Sequence, residues 1–407
     1  MPPAESPVHV PSVLPRRVDA LDGLRGIAIV LVVLSHGWQL WPTEWIRAHG
    51  WVEPVFRSGN YAVTVFLVAA GYLTFATVSR REGKGVPPTT ALLRRVVRIW
   101  PSLVLMLGAI AIASALDTTD NGQAYSDGES FVRVLTYTWN WYVMENMVTS
   151  RPDFGHLWYL SVDMQAFIIV AVLLYLLRRR PVAAIACLTL LWLVLTWWRM
   201  HVMHTEYLFQ VLVRTTARMD PFVLGAIVGA AVPYLNRIVV VRRDLQVYTV
   251  LSLAALVPLM WFCVDDMRFL QFGVTMESLA IAGLFATVAL GATTPWPLRS
   301  RVLTLLGRHS LLLYIWHYPV FVYVNRHTGD WSWPMRTLLA FVLVVVICLA
   351  AHWAVERHTA RLMRSPVWER FDNGLLPGVV ASLPFASRRR AGQRRRGQES
   401  DRRDQLV

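Results

Sequence analysis

Several ionisable side chains lie in stretches otherwise apolar enough to need a chemical reason for holding them. LDGLRGIAIVLVVLSHGW places Arg25 eleven residues before His36. In a helix that separation is about 20° past three full turns and about 16 Å of rise, so both lie on one stripe. An imidazole carried into hydrocarbon costs free energy unless it is partnered, and it can exchange a proton near neutral pH. His36 is therefore a candidate general base, with a plain helix-packing hydrogen bond as the alternative. GRHSLLLYIWHYPVF puts Tyr314 and His317 one turn apart, His317 being placed to face His36 across a cavity or to sit in an aromatic belt. GHLWYLSVDMQ sets His156 and Asp163 two turns apart on one face, beside Ser161 and Gln165. A carboxylate in such a setting needs a base or a cation, so Asp163 is expected either to serve a catalytic group or to lock two helices through an arginine. RRVVRIWP gives Arg95 and Arg98 one turn apart, a pair of guanidiniums suited to phosphate or, more simply, a basic helix start. Arg25 can likewise be an orientation charge that snorkels. ARMDPFVLGAIVGA brings Arg218 and Asp220 to the expected outer mouth of a helix whose Gly225 and Gly229 form a packing seam. Glu356 beside Arg357 reads as an interfacial ion pair.

These residues need helices in a membrane to position them. The chain has 407 residues, 55% hydrophobic and only 16% charged, with 18 Trp, more apolar surface than one water-solvated core buries. Ten apolar segments, 24–43, 60–79, 99–116, 157–177, 182–198, 219–235, 247–264, 272–291, 303–325 and 335–355, approach the roughly 18 to 22 residues that span a bilayer. The expected fold is all-α, a polytopic transmembrane bundle of about ten spans. The net charge of +14 is almost wholly arginine, clustered at alternate connections: Arg16 and Arg17, then Arg80, Arg81, Lys84, Arg94, Arg95 and Arg98, then Arg178 to Arg180, Arg237, Arg242, Arg243, Arg299 and Arg301. The positive-inside rule puts these connections, and both termini, in the cytoplasm. That placement, with no nucleic-acid motif, excludes nucleic acid as the partner. The expected organisation is a cytoplasmic segment over 1–20, a membrane domain over 21–358 and a basic, partly disordered cytoplasmic tail over 359–407. No cleavable leader is evident. The outer connection 117–156 is too aromatic from Tyr137 to Tyr142 to be a free loop. Cys187, Cys263 and Cys348 have no paired spacing and read as small core residues; no metal site is expected.

Taken together and in order, LDGLRGIA with its Arg25-to-His36 spacing, the Arg95/Arg98 pair followed by Pro101, HLWYLSVDMQ, RMDPFVLG and LGRHSLLLYIWHYPVF resemble the membrane-bound acyltransferase family 3, over about residues 17–358. The resemblance implies ten spans, an acyl-coenzyme A donor approached from the cytoplasm and a hydroxyl acceptor on an extracytoplasmic glycan, lipid or small molecule. It makes His36 the histidine regarded as catalytic, puts Arg25 in the same motif and links Arg95 and Arg98 with the donor. The family's usual fourth-span motif has two adjacent carboxylates; this chain has Asp163 and Met164. Acyl transfer from a thioester needs a base for the acceptor proton and a charge partner for the oxyanion. The expectation is an O-acyltransferase of acetyl or succinyl-like groups in a bacterial plasma membrane. His36 would be the base, helped by Asp163 or His317, with no tightly bound cofactor. The alternative is a transporter of a lipid-linked sugar using the buried His, Asp and Arg as a proton relay; the absence of two corresponding halves counts against it.

Overall fold

The computed structural model of the chain describes residues 19–78, 87–117, 127–236, 242–366 and 368; the N-terminal arginines, Arg80, Arg81, Lys84, Arg237 and the tail beyond 368 lie outside them. All ten apolar segments are helical, and the described residues hold no strand. The principal helices are α1 (Asp19–Leu40), α2 (Gly59–Val78), α3 (Pro88–Leu116), α4 (Trp158–Leu176), α5 (Pro181–Val202), α6 (Asp220–Leu235), α7 (Arg242–Phe262), α8 (Val274–Ala289), α9 (Ser310–His327) and α10 (Trp333–Ala351). Proline opens α3 and α5, where its missing N–H costs nothing. Among the described residues, eight helices are long and apolar enough to cross a membrane. The exceptions are α6, which has only 16 residues, and α9, which carries His317, Asn325, Arg326 and His327 in its 18. Both are mostly buried, so neighbouring helices rather than lipid solvate them.

Two boundaries differ from the sequence expectation. The third segment starts at Pro88 instead of 99, because α3 continues its helical pattern through the basic turns that precede the apolar run. The ninth is two helices: a short amphipathic one, Arg301–Arg308, turns at His309 into α9. The aromatic stretch folds back into the protein as the helix Trp139–Glu145, with Trp139 and Asn140 wholly buried. Asn140 donates to the Val213 carbonyl and Thr215 Oγ1, and Gln165 donates to Tyr137 O and Asn140 Oδ1, so Gln165 is spent on anchoring that helix. All three cysteines are free; Cys187 is exposed on α5 rather than in the core.

Two crossings are held by glycine. A Cβ at Gly23 or Gly26 would run into the carbonyls of Leu298 and Leu303, and one at Gly307 into the Asp22 carbonyl. The LDGLRG turn thus lets α1 lie backbone to backbone on the chain leading into α9. Gly71 on α2 and Gly225 on α6 face each other's backbones at Phe222 and Val68 in the same way, the small-residue contact expected where lipid offers no hydrophobic drive to association. The spanning stretch of α2 is 78% buried, whereas those of α3, α5, α7 and α10 are 28%, 17%, 11% and 22% buried. The bundle therefore has a close-packed centre of α1, α2, α6 and α9 and a periphery whose apolar side chains face outward.

Candidate active site

His36 on α1, His317 on α9 and His156 in the 3-10 turn Pro152–Leu157 converge. The rings of His36 and His317 stack with centroids 5.0 Å apart, and His156 stands edge-on to them at 6.2 and 5.4 Å. His36 Nδ1 and His317 Nε2 are 2.7 Å apart, while His317 Nδ1 is 2.9 Å from the Leu313 carbonyl. The carbonyl can only accept, so His317 carries its proton on Nδ1 and offers a lone pair at Nε2. His36 then donates from Nδ1 to that lone pair, which leaves its own Nε2 unprotonated; this tautomer assignment follows from the hydrogen-bond network. His36, His156, Tyr159, Tyr314, Tyr318 and Arg151 line a cavity of about 410 Å³. Both nitrogens of His156 are buried without a hydrogen-bond partner, a costly arrangement that suits a group meant to meet a ligand. The Tyr314 hydroxyl donates to the His156 carbonyl and fixes that turn against α9. The family-type neighbour of the histidine, Arg25, lies elsewhere: its guanidinium donates to Ser310 Oγ at 2.9 Å and faces a second cavity.

That second cavity, of about 250 Å³, is lined by Arg25, Arg94, Arg95, Arg98, Asp163 and Tyr159. Asp163 is ion-paired with Arg95, whose guanidinium also lies 4.7 Å over the Phe167 ring. Asp163 touches neither His36 nor His317, so of its two expected roles the structure carries the arginine lock. His156 and Asp163 also do not share a cavity. The two stay on nearly one stripe, but seven residues of helix put about 10 Å of rise between them, so His156 reaches the first cavity and Asp163 the second. Met164 is core. Tyr159 lines both cavities; its ring lies 5.3 Å from Tyr314 on one side and 6.0 Å from Phe66 on the other. The histidines and arginines thus occupy two back-to-back chambers with one tyrosine in their common wall, rather than one open passage.

Asp220 lines neither chamber. It is fully buried and paired with Arg199 of α5 at 3.1 Å, not open at a helix mouth. Arg199 also donates to the Leu270 carbonyl and to Thr275 Oγ1, tying α5, α6 and α8 together. Arg218, also fully buried, donates to the Asn60 carbonyl and lies over the rings of Trp158 and Phe269. Glu356 pairs with His309 and His352, while Arg357 lies over Trp353. Sequence reading missed Tyr159, Tyr318 and Arg151 at the first chamber, and Arg199 and Glu277 in the core. For Glu277 the signal was present, a charge inside the apolar run 272–291, and Arg199 directly follows the run 182–198. For the tyrosines there was none, since aromatic residues are ordinary in such helices.

The arrangement has the parts of a base-assisted transfer: a free imidazole lone pair in a pocket, a second imidazole behind it, and a cluster of guanidiniums one tyrosine away. Comparison with known proteins agrees with that composition. The chain matches the family model described as an acyltransferase domain over residues 18–353. It is 24% identical over 361 residues to the O-acetyltransferase OatA of Staphylococcus aureus strain NCTC 8325, and 23% identical over 354 residues to a provisionally named O-acetyltransferase of strain COL. Each comparison covers 82% of this chain but 55% of the relative, so the chain spans about half the length of the curated relatives it matches. No solved structure matches it significantly. A family match reaching from the first turn of α1 to the end of α10 embraces both chambers and every helix that lines them, and the chain accordingly belongs to this family of membrane acyltransferases.

Proposed function

We propose that the chain is an O-acyltransferase that takes an acyl group, acetyl or succinyl-like, from acyl-coenzyme A at the arginine chamber to a hydroxyl bound in the histidine chamber. The acceptor class is an extracytoplasmic glycan, glycolipid or small molecule, and the protein sits multi-pass in a bacterial plasma membrane with both termini in the cytoplasm. One observation carries the reading: the His36 to His317 to Leu313 carbonyl chain, which aims an unprotonated His36 Nε2 into a cavity of about 410 Å³.

The acceptor hydroxyl gives its proton to His36 Nε2 as its oxygen attacks the thioester carbonyl. The imidazolium that forms is held by its Nδ1–H donating to His317 Nε2, the role an orienting third group plays in any nucleophile and base pair. His156 supplies an unspent donor for the oxyanion. On collapse of the tetrahedral intermediate the thiolate of coenzyme A leaves and takes the proton. Arg95, Arg98 and Arg25 bind the donor's phosphates, with Asp163 holding Arg95 in place.

The test is transfer of radiolabelled acetyl from acetyl-coenzyme A by purified chain in proteoliposomes. Replacing His36 with Ala is expected to abolish transfer while membrane insertion and thermal stability persist. Undiminished transfer by the inserted variant refutes the assignment.

A further inference from the structure

Apart from both chambers, His309, His352 and Glu356 bring one ligand atom each within 4.8 Å of one another. We propose that these three residues bind a divalent transition-metal ion, zinc fitting best, as a clamp on the helix that carries the histidine relay. This inference is independent of the acyltransferase reading.

The geometry is close to a ligand set already. Glu356 Oε2 lies 2.7 Å from His352 Nδ1 and 3.3 Å from His309 Nδ1. Ligands at about 2.0–2.1 Å around tetrahedral zinc stand roughly 3.3 Å apart, so the Glu356–His309 edge is in place, the Glu356–His352 edge must open by about half an ångström, and the two imidazole nitrogens, within 4.8 Å, must draw together. The two imidazole rings meet edge to face, centroids 5.0 Å apart, which points both Nδ1 atoms at the same carboxylate oxygen instead of stacking them. Each side chain is about a third exposed, at 37%, 37% and 30%, so an ion can enter and a water can complete the coordination. Two imidazoles and one carboxylate favour zinc, cobalt or nickel over magnesium or calcium, which prefer all-oxygen shells. Arg308 lies in the field of His309 and Arg98 in that of Glu356, so any ion here must be held by its bonds to the two imidazoles and the carboxylate against a positive surround. The local backbone is also unusual. His352–Glu356 is a π-helical turn ending α10, a feature frequent at functional sites, and His309 is the break where Arg301–Arg308 turns into α9.

What an ion would do follows from these positions. It would bridge the N-terminal end of α9 to the C-terminal end of α10, two places with no covalent link nearer than the whole hairpin between them. Helix α9 presents Tyr314, His317 and Tyr318, so the clamp sets the depth of the relay relative to α1. Binding displaces the protons that the imidazoles share with Glu356.

The full chain, purified in detergent and stripped with a chelator, is titrated with Zn²⁺ by calorimetry and with Co²⁺ by visible absorption. One equivalent is expected to bind, with a rise in thermal midpoint. Both signals should disappear in His352→Ala and in Glu356→Gln and persist in His36→Ala. Binding retained by both clamp variants, or lost in His36→Ala, overturns the proposal. Should the clamp variants fail to fold, zinc X-ray absorption on the unsubstituted chain decides. Two imidazoles with one carboxylate are expected; a three-imidazole shell assigns the metal to His36, His156 and His317, and no bound zinc at all rejects the site.

Discussion

His317 touches no cavity wall, being wholly buried behind His36, yet the relay geometry makes it decisive for rate. Truncation to Ala removes the acceptor of the His36 Nδ1–H at the moment the ring becomes cationic. A hydrogen bond to a charged group is worth about 1.5–3 kcal/mol. At about 1.36 kcal/mol per factor of ten, the rate of the chemical step should fall roughly ten- to 150-fold. Loss of His36 itself removes a general base, worth roughly 10²- to 10⁴-fold. If the two act as one unit, the double variant His36→Ala/His317→Ala should be no slower than His36→Ala alone, since groups acting together are not additive. His317→Gln, whose side-chain oxygen can accept from the same Nδ1–H, should recover part of the loss. The assay is single-turnover transfer from radiolabelled acetyl-coenzyme A, which separates chemistry from donor binding. A double variant slowed by the product of the two single losses, or an unimpaired His317→Ala, refutes the relay.

Tyr159→Ala should join the two chambers and relax acyl-length selectivity, read as a higher rate ratio of hexanoyl- to acetyl-coenzyme A than in the parent; an unchanged ratio removes Tyr159 from the wall of the reaction path. Asp163→Asn leaves Arg95 in a mostly buried setting without its carboxylate, and breaking such a pair costs about 3–5 kcal/mol when fully buried, less here because Arg95 keeps 20% exposure. The expected outcome is a lower thermal midpoint and a raised KM for the donor, with Arg95→Gln/Asp163→Asn recovering the midpoint but not the KM. Gly225→Ala drives a methyl into the Val68 carbonyl and should destabilise the detergent-solubilised chain by about 1–3 kcal/mol or more, with transfer per folded molecule retained.

Helix periodicity carried a good part of this site. An eleven-residue spacing put Arg25 and His36 on one stripe, and they do face inward at different depths, one at each chamber. That His317 could meet His36 was one of two readings its apolar surroundings allowed, the other being a place in the aromatic belt, and the direct 2.7 Å contact decides between them. Which partner Asp163 would take was not legible, since spacing within a helix says nothing about which guanidinium on another helix comes within reach. The same limit hid the Arg199 pairing of Asp220, and the carboxylate that looked like a mouth residue is a rivet between spans. The Arg25-to-Gly26 region was read for its charge, while its glycines turn out to matter as much, by allowing backbone contact that a sequence motif does not announce. The break at His309 did carry a signal, the polar stretch from Gly307 to Ser310, which a single span laid over 303–325 passed across.

The uneven burial of the helices has a mechanical consequence. Substrates must enter two chambers that sit against a glycine-locked centre, where α1 cannot leave the chain leading into α9, nor α2 leave α6, without pulling backbones apart that now touch. Helix α3 is held far more loosely, with 28% of its spanning stretch buried, and it bears Arg94, Arg95 and Arg98. Rocking of α3 against a stationary α1 would swing the guanidiniums while leaving the histidines still, so the donor door can open without disturbing the base. Spin labels on α3 and α1 should accordingly report a broad distance distribution across that pair and a narrow one between α2 and α6.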